Sequence, residues 1–189
     1  MLINHFIKIH ISIIAVATTL VMFSVKTHCN ASDSNKTGNN SDTAVMNNYE
    51  KSIVHLYYAD KNNSNLTSEP RPLINPEDPA KFGKVIITAL LKGPRSDLTR
   101  TIPEKTALRA FFITSDGTAY VDLSDNISGN HPGGIKSEII TIYSIVNTLI
   151  LNVEAIKKVK LLINGLETDT LAGHVDTRFP FKAEMLLIR

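Results

Sequence analysis

Cysteine occurs once and tryptophan not at all in the 189 residues of this chain. One cysteine excludes a disulfide within the chain and a zinc site built from several cysteines. The 20 lysines and arginines nearly balance the 18 acidic residues, so the formal charge is only +2. This balance differs from the strongly basic surface of a nucleic-acid-binding protein, and we expect no nucleic-acid partner.

No acidic residue precedes Asp33, and this first part of the chain has the pattern of an export signal. Lys8 stands before an apolar stretch from residue 11 to residue 25, which is the order found in secretory signals. The stretch is shorter than the roughly 20 residues that span a bilayer, but apolar residues before Lys8 extend it. Residues 1–31 are therefore a cleaved signal peptide or a retained signal anchor. A lipidated Cys29 fits less well, because His28 stands where a small residue is favoured.

The next residues, 32–48, are dominated by Asn, Ser, Asp and Thr. Such a segment cannot bury enough apolar surface to offset its ordering entropy, so we predict a disordered polar linker. The remainder, 49–189, is predicted to be a single domain held outside the cytoplasm. It would be secreted, periplasmic or membrane-anchored, and would meet the membrane only through the N-terminal segment.

Hydrophobic periodicity divides the folded part into strands and helices. A helix is predicted over 79–92, with Asp78 as its cap and Gly93-Pro94 as its end, and a second helix over 135–151. Proline-rich residues 60–78 are predicted to be a long loop. Strands are predicted over 52–58, 106–114, 119–123 and 156–163, with a return strand over 167–171 and an edge strand or frayed end over 183–188. These elements predict an α+β domain with a small mixed β-sheet and two helices packed on one face.

Several polar residues and glycines lie at predicted turns and helix ends, and we assign them structural roles. Asn147 is expected to hold a neighbouring loop through its backbone, Asp122 to cap the loop before His131, and Glu138 to hold the turn at residues 133–134. The full set of loop and cap candidates is Asp122, His131, Gly133, Gly134, Glu138, Asn147, Gly173 and His174. No catalytic residue, cofactor site or metal site is assigned.

A metal or hydrolase site is the rival interpretation. His131, His174, Glu138 and Asp176 include enough donors for zinc with an open position. Their spacing does not place ligands together on one helix, and Ser137 lacks the Gly-x-Ser-x-Gly surroundings of a nucleophile elbow. We therefore expect no enzyme activity. The alternative is a cell-wall-directed ligand-binding domain or a hydrolase that uses His131 and His174.

Several segments, in this order along roughly residues 53–181, resemble the GerMN domain family. The matching segments are Leu90-Leu91-Lys92-Gly93-Pro94, Thr101-Ile102-Pro103-Glu104-Lys105-Thr106, residues 116–124 (Asp-Gly-Thr-Ala-Tyr-Val-Asp-Leu-Ser), Gly133-Gly134, Glu138, residues 143–149, residues 159–165 and Leu171-Ala172-Gly173-His174. The order and separation of these segments make the resemblance specific, although none would suffice alone.

The resemblance implies a compact α+β domain akin to the ring-building domains of envelope assemblies, with an extracytoplasmic location and no known catalytic set. It also implies an interaction or scaffold module of the bacterial cell envelope that is linked to sporulation or germination. The expected partner is another envelope protein or a second copy of the chain.

Overall fold

The computed structural model describes residues 50–189, which form two small β-sheets and three α-helices. The predicted signal segment and polar linker, residues 1–31 and 32–48, lie outside this range. The elements are β1 (Lys51–Ala59), β2 (Leu66–Ile74), α1 (Pro79–Leu91), β3 (Leu108–Ile113), β4 (Thr118–Leu123), the short α2 (Asn126–Gly129), α3 (Ile135–Ile150), β5 (Lys158–Ile163) and a 3₁₀ turn at Met185–Leu187.

The predicted α+β class is confirmed, and the strands form two sheets. Strands β1 and β2 form an antiparallel hairpin. The second sheet has the order β3-β4-β5 and is mixed, because β4 is antiparallel to β3 and parallel to β5. Helix α3 is the crossover between the two parallel strands, which a tight turn could not connect.

One hydrophobic core joins the mixed sheet to the two long helices. It contains Phe111 of β3, Val121 of β4, Leu161 of β5, Ile86 of α1 and Ile145 of α3, all buried. Because side chains alternate across a strand, the core residues of β4 lie on one face of the sheet. Both helices therefore cover that face. Each such side chain contributes roughly 1.5–3 kcal/mol by burial.

Both predicted long helices are present, and their ends follow the expected chemistry. The Asp78 carboxylate accepts a hydrogen bond from the N–H of Lys81 (2.9 Å), and Pro79 occupies the first turn of α1. Gly93 ends this helix with φ +85°. Helix α3 is entered through Gly133 and Gly134, at φ +77° and +87°, where a side chain would be strained.

Strand β2 corrects the prediction of a loop over 60–78. Pro70 and Pro72 lie opposite His55 and Ile53 of β1. At the end of the hairpin, Asp60 N–H donates to Asn65 C=O. Hydrogen-bonded and non-hydrogen-bonded pairs alternate from there along the two strands. Both prolines therefore occupy non-hydrogen-bonded positions, where an N–H would point away from β1. Proline is tolerated at such edge positions. The two prolines also leave the outer edge of β2 with few donors for an added strand.

The predicted return strand over 167–171 is wrong. Asn164 and Gly165 form a tight turn, but pairing stops at a single bridge between Ile163 and Leu166. The chain then leaves the sheet, and the N–H groups of Ala172, His174 and Val175 donate to the Glu138 carboxylate on α3. Residues 183–188 contain the 3₁₀ turn, and Ile188 forms only a bridge to Leu66.

Candidate functional site

A polar stripe of α3 stabilises the edge of β1 that faces away from β2. The Ser144 hydroxyl donates to Tyr57 C=O (2.6 Å), and Tyr57 N–H donates to the Thr148 hydroxyl (3.0 Å). Asn152, one turn further, bonds both backbone groups of His55 (2.9 and 2.8 Å). The three side chains replace a neighbouring strand, so this edge is already paired.

His131 holds the entry to α3 through both ring nitrogens. Its Nδ1 accepts the N–H of Gly133 (3.0 Å), and its Nε2 lies 3.0 Å from the Thr141 hydroxyl. That hydroxyl donates to Thr101 C=O (2.6 Å), so it accepts from Nε2–H. The consistent state is a neutral imidazole with its proton on Nε2.

This arrangement makes stability depend on pH near neutrality. Burial lowers the pKa of His131 from 6.5, against the opposing charge of Glu138. A lowered folded-state pKa means that the stabilisation is present above the unfolded pKa and is lost as pH falls through the folded value. We expect the free energy of unfolding to decrease as pH is lowered below about 6.5. His131→Asn, which can accept from Gly133 but does not titrate, should remove this component in urea unfolding at several pH values. An unchanged pH slope in that variant would contradict the assignment.

Glu138 is fully buried and forms the densest polar cluster on α3. Its carboxylate accepts the backbone N–H groups of Ala172 (3.2 Å), His174 (3.1 Å) and Val175 (3.0 Å), and the His174 Nδ1 lies 2.6 Å away. Burial alone raises the pKa of this carboxyl, but the four hydrogen bonds together hold it below its usual value. Glu138 thus fixes the 172–175 loop, and not the turn at 133–134 as expected from the sequence.

The Asn147 side chain bonds both backbone groups of Glu184 in the C-terminal segment, as a neighbouring strand would. Its amide donates to Glu184 C=O (2.9 Å) and its carbonyl accepts Glu184 N–H (2.9 Å). Because Asn147 is fully buried, both bonds offset the cost of desolvating its amide. The contact explains why an asparagine stands on an apolar helix.

The remaining sequence candidates stabilise turns or lie in them. The Asp122 carboxylate accepts Gly165 N–H (2.7 Å) and lies 3.2 Å from Arg109 Nε, so it holds the turn after β5 and not the loop before His131. Gly173 has φ +108° and donates its N–H to the Thr170 hydroxyl (3.0 Å). Asp122 therefore stabilises a neighbouring turn, and Gly173 lies within one.

The structure does not assemble the metal or hydrolase set. His174 contacts Glu138, His131 contacts Thr141, and Asp176 pairs with Arg178 (2.8 Å). Across residues 50–189, no three His, Cys, Asp or Glu side chains are grouped so that they could hold a metal ion. A concavity of about 290 Å³ lies beside Thr141, and its lining includes neither histidine of the set.

A buried ion pair on β2, Glu69 with Arg71, was missed by the sequence analysis. The Arg71 side chain is 4% exposed and that of Glu69 is 10% exposed. Arg71 donates to the carbonyls of Gly93 (2.7 Å) and Ala89 (3.4 Å) at the end of α1. The alternation of proline and charge over residues 69–72 was the available signal, because it has the period of an edge strand.

Through Glu69, the ion pair is also bonded to the loop that follows α1. Its carboxylate accepts the N–H groups of Arg95 (2.9 Å) and Ser96 (2.9 Å). Burial raises the pKa of Glu69, but the bonds from Ser96, Arg71 and Arg95 outweigh it and lower the pKa to about 2. The pair therefore joins β2, the end of α1 and the 93–96 loop through one set of charged hydrogen bonds.

A surface groove of about 580 Å³ lies between the end of β2 and α1. Leu73, Ile74 and Val85 contribute apolar lining. Three exposed lysines also line it: Lys81 and Lys84 of α1, and Lys92 directly after the helix. Their spacing places the three ammonium groups on one side of the helix, and we refer to this surface as the lysine-rimmed groove.

The helices within residues 50–189 are too short or too polar to cross a bilayer.

Comparison with known proteins supplies the family. A family model described as "Germane: Sporulation and spore germination" matches residues 55–169. A lipoprotein candidate from Clostridium perfringens is similar in structure, with 25% identity and a TM-score of 0.52 over 72% of this chain and 90% of that one. No curated protein matches the chain.

Two structures of GerM, a sporulation protein from Bacillus subtilis, share the fold. The first GerMN domain of GerM is 22% identical, with a TM-score of 0.51 over 71% of this chain and 98% of that domain. The tandem GerMN domains are also 22% identical, with a TM-score of 0.52, and this chain covers 47% of the tandem. The described residues thus share the fold of one such domain, and the resemblance drawn from the sequence is confirmed. The chain belongs to the Germane family of sporulation and spore germination domains.

Proposed function

We propose that the chain is an exported, non-catalytic protein-interaction module of the bacterial cell envelope, with a role linked to sporulation or germination. The family match and the export pattern of residues 1–31 support this proposal. The similarity to a lipoprotein candidate supports an extracytoplasmic location.

The use of the buried polar groups supports a role in interaction over one in catalysis. Four buried or half-buried polar side chains form hydrogen bonds that stabilise a loop, a turn or a chain segment: Glu138, His131, Asn147 and Asp122. Among residues 50–189, Thr106 Oγ1 alone is a buried side-chain oxygen or nitrogen without a partner. An active site needs polar groups that converge on an open cavity, and here they converge on the backbone.

The lysine-rimmed groove is the observation that carries the proposal. Apolar lining from Leu73, Ile74 and Val85 offers an anchor for apolar side chains, and Lys81, Lys84 and Lys92 supply positive charge beside it. An amphipathic segment with acidic flanks complements both properties. We assign this groove to an acidic amphipathic segment of another extracytoplasmic protein.

Site-specific photocrosslinking in the source bacterium tests the assignment. A photoreactive residue at Thr88, which is exposed and lines the groove, should form an adduct with one extracytoplasmic protein. The double variant Lys81→Glu with Lys84→Glu should reduce adduct yield at least about tenfold, because it opposes like charges across the interface.

The matched control is Lys182→Glu, an exposed lysine of the C-terminal segment, which should leave the adduct unchanged. Adducts to lipid, to cytoplasmic proteins or only to further copies of this chain would contradict the proposed partner. So would equal loss of adduct with Lys182→Glu, since net charge alone would then explain the effect.

A further inference from the structure

The outer edge of β3 has no neighbouring strand within residues 50–189. Thr114 N–H donates to Thr118 C=O (3.0 Å), so the bonded pairs of the β3–β4 hairpin fall at even-numbered residues of β3 after the bulge at residues 108–110. The backbone groups of Phe111 and Ile113 must then point away from β4. No other backbone segment within residues 50–189 bonds to them. Four free groups, two N–H and two C=O, thus lie between the bulge and the turn.

The sheet face beside this edge carries an exposed aromatic pair. Phe112 is 46% exposed, and its ring stacks on Tyr120 of β4 with centroids 4.7 Å apart. Buried apolar residues cover the opposite face of the sheet. Aromatic side chains next to unpaired backbone are a template for strand addition, and β3 contains no proline that would prevent it.

We propose that a second copy of this chain pairs with β3 in antiparallel orientation about a two-fold axis at Phe112. Phe111 of one copy then lies opposite Ile113 of the other. The two symmetry-related pairs form four hydrogen bonds, which use all four free groups of each copy. This proposal deepens the proposed interaction role by naming a second copy as one partner. It depends on β3 and not on the lysine-rimmed groove.

The side chains agree with this register. At the axis the two copies of Phe112 form a close cross-strand pair, so the stacked rings extend as a row of four with Tyr120 at each end. The register also brings Arg109, whose side chain is half exposed, beside the turn of the other copy at Asp116. The two-fold axis therefore creates two contacts between Arg109 of one copy and Asp116 of the other. A strand from a different protein would have to provide matching charges of its own.

The interface is small, so association should depend on protein concentration and be strengthened when both copies are tethered to one surface. A two-fold interface is closed and gives a dimer, not a filament. The dimer would continue the mixed sheet into six strands.

Disulfide crosslinking of the full chain tests both the pairing and its register. The variants carry Cys29→Ser, so the introduced thiols are the only ones. Phe112→Cys lies on the axis as a non-hydrogen-bonded pair, where Cα atoms are about 4.5 Å apart, and mild oxidation should give a covalent dimer. Ala110→Cys alone should not, because its counterpart lies about four residues along the strand, roughly 13 Å away. Thr114→Cys alone should not crosslink for the same reason.

The double variant Ala110→Cys with Thr114→Cys retains Phe112 and should crosslink, since these two positions face each other across the axis. Thermal unfolding of the reduced variants shows whether each one folds. Failure of both Phe112→Cys and the double variant to crosslink while folded would overturn the proposal, as would equal crosslinking by every single variant. Lys81→Glu with Lys84→Glu should leave the crosslinks unchanged, so the dimer and the groove can fail separately.

Discussion

Glu138→Ala is expected to lower the free energy of unfolding by about 3–5 kcal/mol, because four hydrogen bonds to a buried carboxylate are lost and each contributes at least about 1 kcal/mol. The substitution removes the acceptor of three backbone N–H groups and of the His174 ring. Chemical denaturation measures the loss. Hydrogen exchange should show that the amides of residues 172–175 are the first to lose protection.

Two further variants separate the contribution of the Glu138 carboxylate charge from that of the His174 side chain. Glu138→Gln keeps the shape and one acceptor oxygen, so its cost should lie between those of the alanine variant and the wild type. His174→Ala removes a side chain that is 45% exposed, and it should cost at most about 1 kcal/mol. Protected amides at 172–175 in Glu138→Ala, with a loss below about 1 kcal/mol, would show that the loop is held by other contacts.

Arg71→Met should cost a similar amount, about 3–5 kcal/mol, because it leaves the Glu69 carboxylate buried without its cation. Methionine retains the apolar stem of the side chain, so the loss reports the guanidinium and its bonds to the end of α1. Arg100→Met is the matched control. Arg100 also caps carbonyls at that helix end, but its side chain is 30% exposed, so we expect a cost nearer 1 kcal/mol.

The free energy of unfolding measured at acid pH gives a second test of the Glu69–Arg71 pair. Glu69 has a folded-state pKa of about 2, lowered from 4.5. Its stabilisation is therefore present above pH 4.5 and is lost as pH falls towards 2. In Arg71→Met the folded-state pKa of Glu69 should rise towards 4.5, so the loss should be smaller and should be complete at a higher pH. The double variant Glu69→Gln with Arg71→Met should cost less than the two single variants combined, and strict additivity would mean that the pair is not coupled.

Local chemistry made both helices and the strands β3 and β4 predictable. Asp78, Pro79 and Gly93 mark the ends of α1, and each acts through contacts within a few residues of the chain. The sequence by itself also determined the α+β class, because hydrophobic periods of 3.6 and 2 residues report which face of each element is buried. The order of short matching segments was enough to indicate the family.

Only the tertiary structure decided where the polar groups go. Glu138 meets residues 34 to 37 positions later in the chain, and Ser144 meets β1 at a separation of 87 residues. Strand β2 was missed because its prolines are compatible only with an edge position, which depends on the partner strand. Local propensity carries no information about such distant partners. Packing alone decided which partner each buried polar group bonds. It also decided that the outer edge of β3 has no partner strand within residues 50–189.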